Sequence, residues 1–225
     1  ANGTALWYMY FNDANNDGIF NTGDTKIQSL TEYTNTNPDA AIGKTTTNVY
    51  ADATNKYVGK SVIPDVRGAF RISAKYKNFD LSTQFTYSLG GYAYDFTYAG
   101  LMGNGQIGSN NWHEDIRGRW QQPGDITDIP RISNAADANV NARSTRFLTK
   151  ADYLGINNVR LGYTLPSKYA DVLQLSKLNI YVTGDNLMFL SHRKGFNPST
   201  SQNGSSNTYR YSPLSNFTLG VKLEF

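Results

Sequence analysis

Cysteine is absent from the 225 residues, which removes disulfides, thiolate metal centres and cysteine nucleophiles from consideration. A long hydrophobic run is missing as well. Polar residues interrupt every apolar stretch well short of the roughly 20 residues that a membrane-spanning helix requires, and mean hydropathy is −0.50. The two histidines, His113 and His192, stand in no Ser, Cys or HExxH context that would activate them. Asp125 and Asp128 lie in a Pro/Gly-rich stretch without the shaped cleft that a glycosidase needs, so no catalytic constellation is expected. Excess charge of one sign is also lacking. The formal charge is +3 and the Lys and Arg are scattered, which excludes a nucleic-acid-binding stripe. The first residues, Ala1-Asn2-Gly3-Thr4, have neither a basic n-region nor an apolar h-region, so an exported chain is expected to begin earlier.

Aromatic residues, by contrast, are abundant. With 16 Tyr, 11 Phe and 3 Trp they make up 13% of the chain, which favours strands over an ordinary helical domain. The last nine residues, FTLGVKLEF, alternate without a break. Phe217, Leu219, Val221, Leu223 and Phe225 therefore share one face of a strand, and Thr218, Lys222 and Glu224 the other. Other segments repeat the pattern with an apolar face rimmed by Tyr and Phe, as expected where lipid covers that face. With spanning helices excluded, a membrane location requires a β-barrel.

A hairpin stands upstream. Phe70, Ile72, Ala74 and Tyr76 alternate with Arg71, Ser73 and Lys75, and after Lys77-Asn78 the residues Phe79, Leu81, Phe85, Tyr87 and Leu89 alternate with Asp80, Ser82, Gln84, Thr86 and Ser88. A third arm is expected over residues 147–165, with Leu154 and Ile156 on one face. Val159, Leu161, Tyr163 and Leu165 continue that face after a one-residue shift at Asn157-Asn158, the place for a bulge. A fourth arm runs from Leu178, Ile180 and Val182 towards Phe189, and a doubtful sixth strand covers residues 5–11, followed by polar loop to about residue 64.

Residues 90–146 and 191–213 are long polar loops, whereas Lys77-Asn78 and residues 166–176 are short connections. Bacterial barrels place short turns in the periplasm and long loops outside. Arg71, Lys75, Arg160, Lys222 and Glu224 then line a wet lumen. Five or six strands fall below the minimum of about eight in single-chain barrels, so the rest of the wall is expected from other chains or from a longer one. A competing reading is a secreted or surface β-sheet binding module without transport activity, whose apolar faces would be buried against a second sheet.

The segment from Asp13 to Asp24 has its own chemistry. Asp13, Asn15, Asp17, Asn21 and Asp24 occupy relative positions 1, 3, 5, 9 and 12, with Gly18 at the sharp turn and the Ile19 carbonyl at position 7. This is calcium-loop spacing with Asp in place of the final Glu, and it makes a structural calcium ion the expected cofactor. An Asn/Asp/Gly-rich surface turn without metal explains the same residues. In the long loop, Tyr92, Tyr94, Tyr98, Trp112 and Trp120 are candidates for stacking on substrate, with Asp115 and Arg117 as hydrogen-bonding partners; packing of the loop onto itself is the alternative role.

The runs FLTKADYLGINNVRLGYTLPSKY, LSKLNIYVTGDNLMFLSHRKGFNP and YSPLSNFTLGVKLEF resemble the carboxy-terminal region of SusC/RagA-like TonB-dependent transporters of Bacteroidetes. Upstream, IPDVRGAFRISAKYKNFDLSTQFTYSLGGYAYD, NWHEDIRGRW and DIPR are similar to that family's preceding hairpin and long loop. The resemblance implies an all-β fold. Residues 1–225 would form carboxy-terminal antiparallel strands of a large transmembrane β-barrel with long extracellular loops, in a wall of about 22 strands around a plug. It also implies residence in the outer membrane of a Gram-negative cell, against lipid, and uptake of oligosaccharides or peptides. The partners implied are a SusD-like surface lipoprotein and TonB, the latter engaged through plug elements that have no counterpart here.

Overall fold

The computed structural model describes residues 2–103, 108, 111–200 and 213–225. Two compact units emerge, one of Ala1–Lys60 with Thr97–Phe147 and the other of Ser61–Phe96 with Leu148–Phe225.

In the first unit, strands β1 (Trp7–Asn12), β2 (Thr25–Ile27) and β3 (Ile42–Thr47) form an antiparallel sheet in the order β2-β1-β3, with a short helix at Leu30–Thr36. Met9, Phe11 and Ile27 are buried, and the Phe11 ring meets Phe20 edge-on at 5.3 Å. Burying an aromatic of this size contributes about 1.5 to 3 kcal/mol. This differs from the sequence expectation twice. The strand at residues 5–11 forms but belongs to this small sheet, not to the wall, and residues 12–64 are not simply loop. Strands of three and six residues covered by a handful of apolar side chains leave too little periodicity to be read as strands.

The second unit holds the wall. Strands β4 (Pro64–Tyr76) and β5 (Phe79–Gly90) form a hairpin across Lys77-Asn78, where Lys77 adopts φ 51°. Next come β6 (Tyr92–Tyr94) and β7 (Leu148–Lys150), a separate two-stranded ribbon, and then β8 (Tyr153–Thr164), β9 (Lys177–Ser191) and β10 (Asn216–Glu224). The five long strands make one antiparallel sheet in the order β10-β9-β8-β5-β4. Four of them have 12 to 15 residues, more than the roughly 9 to 11 that cross a bilayer at a tilt. The arm expected over residues 147–165 is split. Asp152 accepts the Gly90 N–H at 2.8 Å, and the Ala151 N–H bonds Gly91 at 3.1 Å, so the chain leaves one sheet and joins another there. Of the loop expected at residues 191–213, residues 201–212 lie outside the described residues.

Register gives the wall two unlike faces. Ala74, Leu81, Leu161, Val182 and Leu219 form one rung across all five strands, and Tyr76, Phe79, Tyr163, Ile180 and Val221 the next on that face. These side chains stay open: Leu219 is 71% exposed and Phe217 74%. Aromatic pairs punctuate the face, with Phe79 against Tyr163 and Phe70 stacked on Phe85, each at 4.8 Å. Phe79 and Phe85 stand roughly 20 Å apart along β5, close to the spacing of two interfacial girdles. On the opposite face, the rung on the other side of the first, Ser73, Ser82, Arg160, Thr183 and Thr218, is polar throughout.

The bulge expected at Asn157-Asn158 is present: β8 and its two neighbours change register between Ile156 and Asn158. It keeps Leu154 and Ile156 on the face occupied by Val159 and Leu161. Where lipid covers that face, as its alternation predicts, a charge on it meets hydrocarbon. Val182→Arg is expected to destabilise the folded protein by about 2 to 4 kcal/mol if it sits near the bilayer midplane, whereas Lys222→Ser on the opposite face changes stability by less than about 0.5 kcal/mol. Urea unfolding in lipid vesicles compares the two; equal losses would reverse the assignment of faces.

Candidate functional site on the wet face of the wall

The polar face carries a connected network near the Lys77-Asn78 end. Arg160 is ion-paired through Nη1 to Asp80 and donates through Nη2 to Asn179 Oδ1 at 2.8 Å. Asn179, 6% exposed, donates through Nδ2 to Thr164 Oγ1 at 3.0 Å and to Asp80 Oδ1 at 3.4 Å. The Arg160 guanidinium also lies 4.5 Å from the centre of the Tyr181 ring.

Sequence explains how so many groups fit. The rung through this site is Lys75, Asp80, Gly162, Tyr181 and Gly220, alternating long side chains with glycine. A Cβ on Gly162 would strike the Asp80 carboxylate, and one on Gly220 the Tyr181 ring, so each glycine provides the floor on which its neighbour lies. Arg160 was legible as lumen-facing, and alternation placed Asp80, Asn179 and Tyr181 opposite the apolar face of their strands; that these residues and Thr164 form one network was not legible. Their common signal is period-two placement on the polar face. Higher on the wall, the bulge is fastened by Thr86 Oγ1 donating to Asn157 at 2.6 Å and Asn158 donating to Asp185 at 2.7 Å. Beyond it, the Arg193–Asp95 pair at 3.2 Å, with Asp95 buried, joins the bases of the two long loops. None of these groups is arranged as nucleophile and base. The arrangement can hydrogen-bond polar cargo and hold the wall's shape.

The candidate substrate residues divide between the units. Tyr92 and Tyr94 are half-buried on β6, with Tyr94 against Phe96 at 4.5 Å. Trp112, Asp115, Arg117 and Trp120 belong to the other unit. Trp112 Nε1 donates to the Gly103 carbonyl at 2.7 Å, and Trp120 packs over Gly3. Asp115 accepts the Tyr98 hydroxyl at 2.8 Å and sits 3.3 Å from His113, while Arg117 is exposed on the single-turn helix Glu114–Gly118. The rings thus have packing partners, and Arg117 points to solvent.

The Asp13–Asp24 loop is closed by its own side chains. Asp13 accepts the N–H groups of Asp17 at 3.2 Å and Gly18 at 2.8 Å, and Asp24 accepts those of Asn21 at 2.8 Å and Ala14 at 3.0 Å. Asp17 accepts the Ile19 N–H at 2.7 Å and the amides of Asn15 and Asn21 at 2.8 and 2.6 Å. Among the described residues, no three His, Asp or Glu side chains gather closely enough to hold a metal ion. The Ile19 N–H, helped by the Asn15 and Asn21 amides, holds the Asp17 carboxyl below its ordinary value.

No family model matches the sequence. TonB-dependent receptor P3 of Formosa agariphila is 27% identical over 183 residues, covering 77% of this chain and 17% of that receptor. TonB-dependent receptor P39 of the same organism is 23% identical over 170 residues, or 72% and 16%. The chain therefore spans about one sixth of the length of these relatives. In structure it is similar to the RagAB peptide transporter, with TM-score 0.67 at 23% identity over 81% of this chain and 19% of that one. The RagAB peptide importer in its closed-closed state matches with TM-score 0.65 at 23% identity, covering 81% and 20%.

Fold and faces define the class, a segment of β-barrel wall with one apolar and one polar face. The chain is similar in sequence to TonB-dependent receptors and in fold to part of the RagAB peptide importer. Its relatives are receptors and importers, not enzymes.

Two outcomes are expected. Asn179→Leu leaves Arg160, Asp80 and Thr164 short of partners and should cost about 1 to 3 kcal/mol, against less than about 0.5 kcal/mol for Thr218→Ala, both measured by urea midpoint. For the Asp17 turn, a lowered pKa means that the fold favours the charged carboxylate. Its contribution is present above the ordinary carboxylate range and is lost as pH falls through the lowered value. The Ile19 amide resonance followed from pH 6 downwards should move only in the acid range.

Proposed function

We propose that residues 1–225 are the carboxy-terminal part of a TonB-dependent importer's barrel, supplying wall and extracellular loops to a conduit for oligosaccharides or peptides. The observation that supports this most is the open apolar face spanning five strands, back to back with a polar face of matched register. A sandwich module would have covered that face with a second sheet. Similarity to TonB-dependent receptors and to a peptide importer supports energised uptake, a SusD-like lipoprotein lid, and TonB as the source of work. Tyr92, Tyr94, Trp112, Asp115, Arg117 and Trp120 are the proposed cargo-contacting loop residues, and exposed Arg117 is the first to test.

For the Asp13–Asp24 loop we propose a structural calcium ion held by Asp13, Asn15, Asp17, Asn21, Asp24 and the Ile19 carbonyl. Three of the spaced side chains, Asn15, Asp17 and Asn21, already meet through hydrogen bonds. Binding would tie together carboxylates that otherwise repel. Terbium luminescence in the loop, displaced by millimolar calcium and abolished in Asp17→Ala, is the outcome that fits.

The function is tested in the native host. Deleting the gene should abolish uptake of one labelled oligosaccharide or peptide class, as should removing TonB, and the protein should require detergent for extraction. Recovery in a soluble fraction without detergent would instead support the binding-module reading.

A further inference from the structure

Three cations on the wet face of β4 have no counter-charge among the described residues. Arg67, Arg71 and Lys75 recur every fourth residue, so their head groups rise from one face at intervals of roughly 13 Å. None joins an ion pair or a side-chain hydrogen bond among the described residues, and all three are exposed. Inside the sheet their opposite numbers are Ser88, Gln84 and Asp80. Only Asp80 is acidic, and it is taken by Arg160 and Asn179. Asp65, two residues before Arg67 at the register shift of β4, lies against Gly90.

The same strand is an edge. β4 ends the five-stranded order, so its outer row of N–H and C=O groups has no ladder partner among the described residues. A strand in hydrocarbon cannot leave that row bare, because each unsatisfied group there costs several kcal/mol. Edge and charge thus make two demands on one neighbour. A second strand satisfies the backbone, and acidic side chains opposite Arg67, Arg71 and Lys75 satisfy the cations across the pair, where Cβ atoms approach to about 4.5 to 5.5 Å.

We propose that the outer edge of β4 docks an acidic β-strand of the same polypeptide, lying outside residues 1–225. This strand carries Asp or Glu at every fourth position in register with Arg67, Arg71 and Lys75. The inference rests on the membrane-wall reading above and goes beyond it by specifying the sequence of the neighbour. Charge, not only hydrogen bonding, then sets register at this edge, since a slip of two residues would bring the acids opposite Ala69 and Ser73.

Zero-length coupling with a water-soluble carbodiimide tests this on the full-length protein in isolated membranes, because that reagent joins Lys Nζ only to a carboxylate in contact. Mass spectrometry should find Lys75 joined to an Asp or Glu of the same polypeptide outside residues 1–225. Arg71→Lys should add a second junction four residues away on the same partner strand, and Lys75→Arg should remove the first. Junction of Lys75 to Asp80, to a differently isotope-labelled second copy or to another protein would overturn the proposal. So would an uncoupled Lys75 that a soluble acylating reagent modifies freely. Fractionation of the same sample reports separately on the membrane reading: a soluble protein would defeat that reading while the coupling pattern still decides the neighbour.

Discussion

Backbone hydrogen bonding between strands is the constraint from which the wall follows. Water is absent from hydrocarbon, so N–H and C=O groups there must pair across the sheet, and side chains are then sent to opposite faces with period two. Antiparallel register does the rest. Because Leu81, Leu161, Val182 and Leu219 lie in one rung, each strand's apolar set extends its neighbour's, and five modest stripes become one continuous surface. A one-residue slip in any strand would invert its faces. The bulge at Asn157 shows how strictly this is kept, since the extra residue restores Leu154 and Ile156 to the lipid side and gives its polar atoms to Thr86 on the wet side.

The wall was legible in the sequence because this constraint writes itself as alternation over ten or more residues. All five long strands, the tight hairpin and the bulge follow from that pattern alone. What escaped is short. β6 and β7 have three residues each and pair only with one another, so neither shows a period; their ribbon exists because Asp152 takes the Gly90 N–H and ends the larger sheet there. The small sheet of β1, β2 and β3 is held by Phe11, Met9 and Ile27, three buried side chains on strands of three and six residues. Alternation announces strands that face a broad apolar medium and is weak where the medium is a few side chains.

The candidate site residues are ambiguous in the sequence for a related reason. Loop aromatics such as Trp112 and Tyr94 offer stacking surfaces, and a long loop also needs internal contacts to stay folded, which Trp112 makes with Gly103 and Tyr94 with Phe96. The Asp13–Asp24 spacing is likewise shared by a metal loop and an Asx-stabilised turn, because both place oxygen atoms around backbone N–H groups. Asp80 and Asn179, separated by 99 residues, become partners only through the strand order. Nothing local in the chain marks that pairing.

The two faces also differ in what they allow to vary. On the lipid side most apolar side chains of similar reach serve, since the medium adapts to their shape, and the requirement is only that charge be absent. The wet side works by specific complementarity. Gly162 exists for Asp80 and Gly220 for Tyr181, while Asn179 must both accept from Arg160 and donate to Thr164, which neither Asp nor Leu does with the same atoms. Information is thus concentrated on the lumen face. A wall with one apolar and one polar face should therefore tolerate substitution more loosely outwards than inwards, because the outer face has only to be apolar while the inner face has to hold particular groups in place.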